Sequence, residues 1–308
     1  MKWINKNDHP YKKAGNKICK AYLDKCCNHN NRYQGVRYDG RDPGTGSIFC
    51  GNFRKVMTNI LLENQDSYCC YCMRKLKINQ KEEDSDMVVT REHIIPRGFT
   101  QADDEKLSSY YQLCPELSDS EVILTDKFEH KDYNQSKALP PYPHKIAFNN
   151  LVVSCNGTFP YVRNNKDNKA KICCNEYRQE KDAYPIYFIR DIENMVDYLD
   201  DGDIQIKITV EDKIRHKIED VIRNTHLACD SLKDIRYLWF LLSDNPKQDI
   251  YQCRNEDQRN HLLSKNLYKD GINIDDRISN LHSSFIKDEF WQTFLLYDYF
   301  YDVYNQDA

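Results

Sequence analysis

Residues 87–97 read MVVTREHIIPR, and this stretch decides how the middle of the chain is expected to fold. Its valines and isoleucines are β-branched, and Pro96 and Gly98 close the run, which is the pattern of a strand that ends in a turn. Glu92 and His93 lie next to each other inside this strand. A second short apolar run, FNNLVV at residues 148–153, predicts another strand.

The most informative feature of the composition is its thirteen cysteines. The first residues, MKWINK, lack the apolar core of a secretory signal, so we expect a reducing, cytoplasmic location. An odd number of cysteines cannot pair fully, and no run approaches the roughly 18 apolar residues of a membrane helix. Metal ligation is therefore the leading explanation for some of the cysteines.

Cys69 and Cys72 form a C-x-x-C turn, the spacing that lets two thiolates bind one tetrahedral ion. The pair alone is a weak signal, because a zinc site needs two further ligands. Cys155 follows the second predicted strand, and the adjacent Cys173 and Cys174 compete for the fourth position. An irregularly spaced second zinc site is a weaker alternative, and its candidates are Cys19, Cys26, Cys27, His29 and Cys50.

The motifs follow one another in a specific order: C-x-x-C, then EHIIP, then NL with a cysteine four residues later, then CN-x-x-R. Over residues 68–181 this order resembles the HNH endonucleases, and within them the PtuB-like proteins of Septu-type and retron-linked anti-phage systems. The resemblance implies a ββα-metal core with a structural zinc knuckle. One departure is that 18 residues separate Cys155 from Cys174, so the zinc site must close over an inserted loop.

The resemblance also implies a role for each matching residue. His93 takes the place of the general base, and Glu92 that of a ligand to the catalytic cation. Asn150 matches the central asparagine that orients the histidine, since it precedes Leu151 directly, although Asn149 competes with it. Asn175 matches the final metal-binding position, which is in register if Cys174 is the zinc ligand.

The implied cofactors are structural Zn²⁺ and a catalytic Mg²⁺ or Mn²⁺. Arg97 and Arg178 are candidate phosphate donors. His144, six residues before Asn150, lies within reach of the site, but a lone histidine is more often structural. The zinc ligands under this interpretation are Cys69, Cys72, Cys155 and Cys174.

The expected fold class is α+β, with the HNH core followed by a mainly α-helical C-terminal region. Three regions are predicted: a basic extension at 1–60, the nuclease core at 61–185 and an acidic helical region at 186–308. Within them we expect helices at 53–62 and 120–129, a strand followed by a helix at 186–199, a strand at 204–210, and helices beyond it.

The net charge of −4 conceals a gradient along the chain. Residues 1–60 carry 12 Lys and Arg against 4 Asp and Glu, whereas residues 191–308 carry 14 against 24. The basic end suits phosphates and the acidic end suits protein contacts. The resemblance implies a nucleic-acid substrate, DNA rather than RNA, and an ATPase partner of the SMC or ABC type. The alternatives are an RNA- or tRNA-cleaving nuclease and a non-catalytic, zinc-stapled binding module.

Overall fold

The computed structural model describes residues 1–28, 51–77, 89–128, 140–159, 172–178, 186–267 and 276–305. It is a mixed α/β structure, mostly helical, with small two-stranded sheets. The strands are β1 (Val89–His93), β2 (Val122–Ile123), β3 (Tyr142–Pro143), β4 (Leu151–Cys155), β5 (Val196–Tyr198) and β6 (Ile204–Ile206). The helices are α1 (His9–Asn28), α2 (Gly51–Asn64), α3 (Asp104–Leu113), α4 (Cys174–Arg178), α5 (Asp212–Asn224), α6 (Asp230–Leu242), α7 (Lys247–Gln252), α8 (Glu256–Leu267), α9 (Asp276–Phe285), α10 (Asp288–Phe294) and α11 (Tyr299–Tyr304).

The two apolar runs supply an antiparallel pair, β1 with β4, although Phe148–Asn150 form a 3-10 turn before β4 and not the start of the strand. Glu92 lies opposite Val152 and His93 lies opposite Leu151. Because successive side chains of a strand point to opposite faces, Glu92 and His93 lie on different faces of this pair. The short helix α4 packs against β4, so two strands and a helix surround the predicted site.

Helix α2 leads the chain into the cysteine turn. Phe53, Met57 and Leu61 are buried at a spacing of four residues, which gives the helix one apolar face. After Asn64 the chain reverses through Asp66 and Ser67, which both have positive φ, and then reaches the C-x-x-C turn. The predicted helix at 53–62 is therefore confirmed, and it delivers Cys69 to the core.

The segment between β1 and β4 contains a correction. The predicted helix at 120–129 is wrong for its described part, because Val122 and Ile123 form β2 and pair in parallel with β3. Tyr142 donates its backbone N–H to the Glu121 carbonyl at 3.0 Å. Pairing with a segment about 20 residues away thus overrides the local helical preference, and it also brings His144 next to β2.

The C-terminal region is mainly helical, as expected, but its first elements differ. The order predicted at 186–199 is reversed, because two short helical turns precede β5. The strand predicted through Val210 ends at Ile206, where the Lys207 N–H bonds the Met195 carbonyl at 3.0 Å. Ile208, which continues the alternation in sequence, is 92% exposed.

One hydrophobic core contains residues from all three predicted regions. The Ile4 N–H bonds the Tyr187 carbonyl at 2.7 Å, and the Lys75 N–H bonds the Leu296 carbonyl at 2.7 Å. Residues 1–60, 61–185 and 186–308 therefore all contribute to this core. None of the helices in the described part of the chain has both the length and the hydrophobicity that crossing a bilayer requires.

Candidate functional site

The structure brings the four predicted zinc ligands together. All four are buried, and their Sγ atoms lie within 4.8 Å of one another. The Cys69–Cys174 and Cys72–Cys155 sulfur pairs are 3.9 and 3.6 Å apart. Zinc–thiolate bonds of about 2.3 Å place the sulfurs of a tetrahedron roughly 3.8 Å apart, which is close to the separation of these two pairs. The four residues of this thiolate centre are Cys69, Cys72, Cys155 and Cys174.

The local backbone explains how the C-x-x-C turn presents two thiols to one point. The Cys69 N–H bonds the Arg74 carbonyl at 2.8 Å, and Met73 takes a positive φ of 61° that closes the turn. The other two ligands come from regular elements, since Cys155 ends β4 and Cys174 begins α4. The inserted loop between them does not prevent the four sulfurs from meeting.

Hydrogen bonds and a buried cation surround the thiolate centre. The Cys155 N–H donates to the Cys69 sulfur at 3.3 Å, a contact that stabilises a thiolate. The guanidinium of Arg74 is 2% exposed and donates to the Thr158 carbonyl at 2.9 Å. Arg74 lies within electrostatic range of Cys72 and Cys155, so it offsets part of the negative charge that four thiolates place in the core.

Cys173 lies directly beside the centre, with its sulfur 3.5 Å from that of Cys174. Only Cys174 lies within range of all the other ligands, which matches the register favoured by the sequence. None of the ten cysteines with described side chains forms a disulfide. Cys19 belongs to the packing instead, and its thiol donates to the Ile146 carbonyl at 3.1 Å. The side chains of Cys26 and Cys27, together with His29 and Cys50, lie outside the described residues.

Glu92 is buried on the face of the strand pair that contacts α4. One carboxylate oxygen accepts from Arg178 at 3.0 Å, and the other accepts from the hydroxyls of Thr90 and Ser154 at 3.2 and 3.1 Å. The same Arg178 guanidinium donates to the Tyr71 hydroxyl at 3.0 Å. Glu92 and Arg178 therefore tie β1 to the C-x-x-C turn and to α4, two of the three segments that meet at the thiolate centre.

The residues predicted to hold a catalytic Mg²⁺ or Mn²⁺ do not form a cation site in this arrangement. Glu92 already accepts from three donors, and Asn175, partly exposed in α4, adds no carboxylate. Among the described residues, the four cysteines are the one group of three or more histidine, cysteine or acidic side chains that could share an ion. The donor set thus fits zinc and does not fit the second metal.

His93 occupies the other face of the strand pair and is 8% exposed. Its Nε2 lies 3.0 Å from the Lys145 carbonyl oxygen, which only accepts hydrogen bonds, so Nε2 carries the proton and Nδ1 carries the lone pair. Burial lowers the pKa of His93 to about 3, and the charges of Arg97 and Arg91 act in the same direction. The Lys145 carbonyl opposes this effect but does not outweigh it. The ring is neutral at pH 7.

Asn150 holds together the two loops that flank His93. Its side-chain oxygen accepts from the Ile95 N–H at 2.7 Å, and its amide donates to the carbonyls of Ile95 and His144 at 3.2 and 2.6 Å. Asn149 points elsewhere and donates to the Glu116 carbonyl at 2.7 Å. Of the two competing asparagines, Asn150 is therefore the one that fixes the surroundings of His93.

The charges around His93 differ from those expected. Arg97 is exposed and acts electrostatically on His93, whereas Arg178 lies on the opposite face with Glu92. Arg91 supplies a further cation near the ring, and sequence reasoning missed it. The spacing of Arg91 was the one available signal, because it lies two residues before His93 and hence on the same face of the strand.

The tie between Glu92 and Arg178 gives a prediction about stability. Arg178→Met is expected to lower the free energy of unfolding by about 3–5 kcal/mol, because it leaves a buried carboxylate without its counter-charge. Urea denaturation of the zinc-loaded protein measures the loss. Adding Glu92→Gln should restore part of it, whereas Lys233→Met at the more exposed pair with Asp203 should cost less than about 1 kcal/mol. Equal losses at both pairs would contradict the structural role of Arg178.

No family model matches the chain, and no curated protein or solved structure is significantly similar to it.

Proposed function

We propose that this protein is a zinc-stabilised endonuclease of the HNH type that hydrolyses phosphodiester bonds in nucleic acid, with His93 as the general base. The observation that carries the proposal is the hydrogen bond from His93 Nε2 to the Lys145 carbonyl, which leaves the lone pair on Nδ1 of a neutral ring. A fixed, neutral imidazole is the form that accepts a proton from water. The order of motifs and the strand–strand–helix arrangement beside the thiolate centre support the same conclusion.

The chemistry of this face follows from its charges. A phosphodiester bound beside His93 meets the positive charges of Arg97 and Arg91. His93 Nδ1 removes a proton from water, the resulting hydroxide attacks phosphorus, and the bond to the leaving oxygen breaks with its electron pair on that oxygen. Asn150 keeps the two flanking loops, and with them His93, in register. The bound phosphate also raises the pKa of His93 from its low value, because an adjacent anion favours the imidazolium.

Several finer parts of the proposal rest on the resemblance alone. They are a DNA rather than RNA substrate, a role as effector of an anti-phage complex, an ATPase partner of the SMC or ABC type, and a catalytic Mg²⁺ or Mn²⁺ at Glu92 and Asn175. The cation also requires Arg178 to release Glu92. These parts stay predictions, and the hydrolytic step above does not depend on them.

A second candidate function is favoured by the position of Glu92. Its pairing with Arg178, on the face away from His93, is what a purely structural carboxylate would show. Under this alternative the protein is a zinc-stapled module that binds nucleic acid or a partner without cleaving it, and the cations around His93 serve only to bind phosphate.

A cleavage assay separates the two functions. Supercoiled plasmid and tRNA are each incubated with the zinc-loaded protein in Mg²⁺, in Mn²⁺ or in buffer freed of both cations before the protein is added. Conversion of plasmid to nicked or linear forms supports the nuclease and DNA, whereas cleavage of tRNA alone supports the nuclease and replaces DNA with RNA. Binding of both nucleic acids with no cleavage under any condition would overturn the nuclease in favour of the binding module.

A further inference from the structure

His144 is fully buried between three segments that surround the His93 face. Its Nδ1 lies 2.9 Å from the Thr125 N–H, which only donates, so Nδ1 is the acceptor. Its Nε2 therefore carries the proton and donates to the Arg97 carbonyl at 3.4 Å. Both ring nitrogens are thus hydrogen-bonded. Nε2 contacts the loop that follows β1, and Nδ1 contacts the turn that follows β2.

The backbone of His144 is tied to the same surroundings. Its N–H bonds the Ile123 carbonyl at 2.7 Å, and its carbonyl accepts from the Asn150 side chain at 2.6 Å. The next residue, Lys145, supplies the carbonyl that holds His93 Nε2. A shift of His144 would therefore move the group that sets the tautomer of His93, and would loosen the loop that bears Arg97.

We propose that His144 is a positioning residue for His93 and Arg97. Its ring spans the gap between the Thr125 N–H and the Arg97 carbonyl, and so holds Lys145 where its carbonyl selects the Nε2–H tautomer of His93. An imidazole suits this role because it places an acceptor and a donor on opposite sides of one rigid ring. The consequence for catalysis rests on the proposed function, whereas the effect on the tautomer does not.

Three variants separate the two ring contacts. His144→Leu removes both of them. His144→Gln places an amide donor near the position of Nε2 and keeps a bond to the Arg97 carbonyl. His144→Asn places an acceptor near the position of Nδ1 and keeps the bond from the Thr125 N–H. His216→Leu is the matched control, since His216 is an exposed histidine of α5 whose contact is Glu219 of the same helix.

The first readout is the ring ¹⁵N spectrum of His93, which distinguishes the two tautomers without any substrate. The wild type and His216→Leu should show His93 with the proton on Nε2. His144→Leu should show a mixture of tautomers, and His144→Gln should lie closer to the wild type than His144→Asn does. If His144→Leu does not fold, the Gln and Asn variants decide. An unchanged His93 spectrum in the folded variants would overturn the proposal.

The second readout is the kinetics of cleavage of the substrate found in the assay above. His144→Asn should lower kcat by about 10- to 100-fold with a smaller change in KM, because a misplaced base loses rate more than binding. His144→Gln should recover part of kcat, and zinc content should stay at the wild-type value. Equal kcat in the wild type and His144→Asn would contradict the positioning role. If the wild type cleaves nothing, the proposed function is contradicted. The positioning role of His144 is then decided by the ¹⁵N spectra alone.

Discussion

Cys174→Ser is expected to abolish zinc binding and to unfold most of the chain at 25 °C. The thiolate centre joins the C-x-x-C turn, the end of β4 and the start of α4, so its loss removes the link that all three segments share. Structural zinc contributes about 10–16 kcal/mol of apparent binding free energy in small zinc domains. Because a folded domain is stable by only about 5–15 kcal/mol in total, losing the metal should outweigh what remains.

The neighbouring cysteine supplies the matched control. Cys173→Ser removes a buried thiol 3.5 Å from Cys174 but none of the four sulfurs of the thiolate centre. It should retain one zinc per chain and a cooperative urea transition. Zinc content by elemental analysis and unfolding followed by near-UV circular dichroism measure both variants. Retention of zinc by Cys174→Ser together with its loss from Cys173→Ser would mean that Cys173 is the ligand.

The loss of zinc should also reach the C-terminal region. Lys75, three residues after Cys72, donates its backbone N–H to the Leu296 carbonyl, and the Tyr68 hydroxyl donates to Asp298 at 3.1 Å. The Tyr297 hydroxyl lies 3.8 Å from the Cys72 sulfur. The core is continuous from this turn to α11. Removal of zinc by a chelator should therefore unfold the described regions together, in one transition.

The sequence predicted the parts of the site that depend on spacing. C-x-x-C marked two ligands, the apolar runs marked β1 and β4, and the position of Asn150 before Leu151 marked the asparagine that clamps the loops. Each of these signals is local, because it requires only residues within about five positions. Predictions from local signals of this kind are dependable, because the turn or strand that they predict is formed by the same residues.

The sequence did not predict what long-range packing decides. The partner of Glu92 is Arg178, 86 positions later, and no local pattern indicates that the two meet across β1 and α4. The pairing of β2 with β3 likewise depends on residues beyond any helical window, so residues 120–128 were misjudged. The alternation of a strand places Glu92 and His93 on opposite sides, so it already separates the expected cation ligand from the expected general base.

His93→Ala is expected to lower kcat for cleavage of the substrate by about 10²- to 10⁴-fold, the range over which a positioned base contributes. His93→Gln should lose as much, although its amide can still donate to the Lys145 carbonyl and preserve the loop. Both variants should keep one zinc and bind nucleic acid as the wild type does. His261→Ala, at an exposed position of α8, is the surface control and should leave kcat unchanged. Full activity in His93→Gln would show that His93 is not the general base.

Glu92→Gln, measured beside these variants, determines whether Glu92 takes part in the reaction or only in the fold. The amide keeps the size of the carboxylate but loses its charge, so the tie to Arg178 weakens under either interpretation. If Glu92 serves only that tie, the variant should unfold at lower urea concentration, yet cleave at the wild-type rate while it remains folded. If a cation must displace Arg178 and bind Glu92, kcat should fall and the Mn²⁺ concentration needed for half-maximal rate should rise. The two roles therefore differ in kinetics under conditions where both proteins are folded, and the comparison decides whether the second metal belongs to the mechanism.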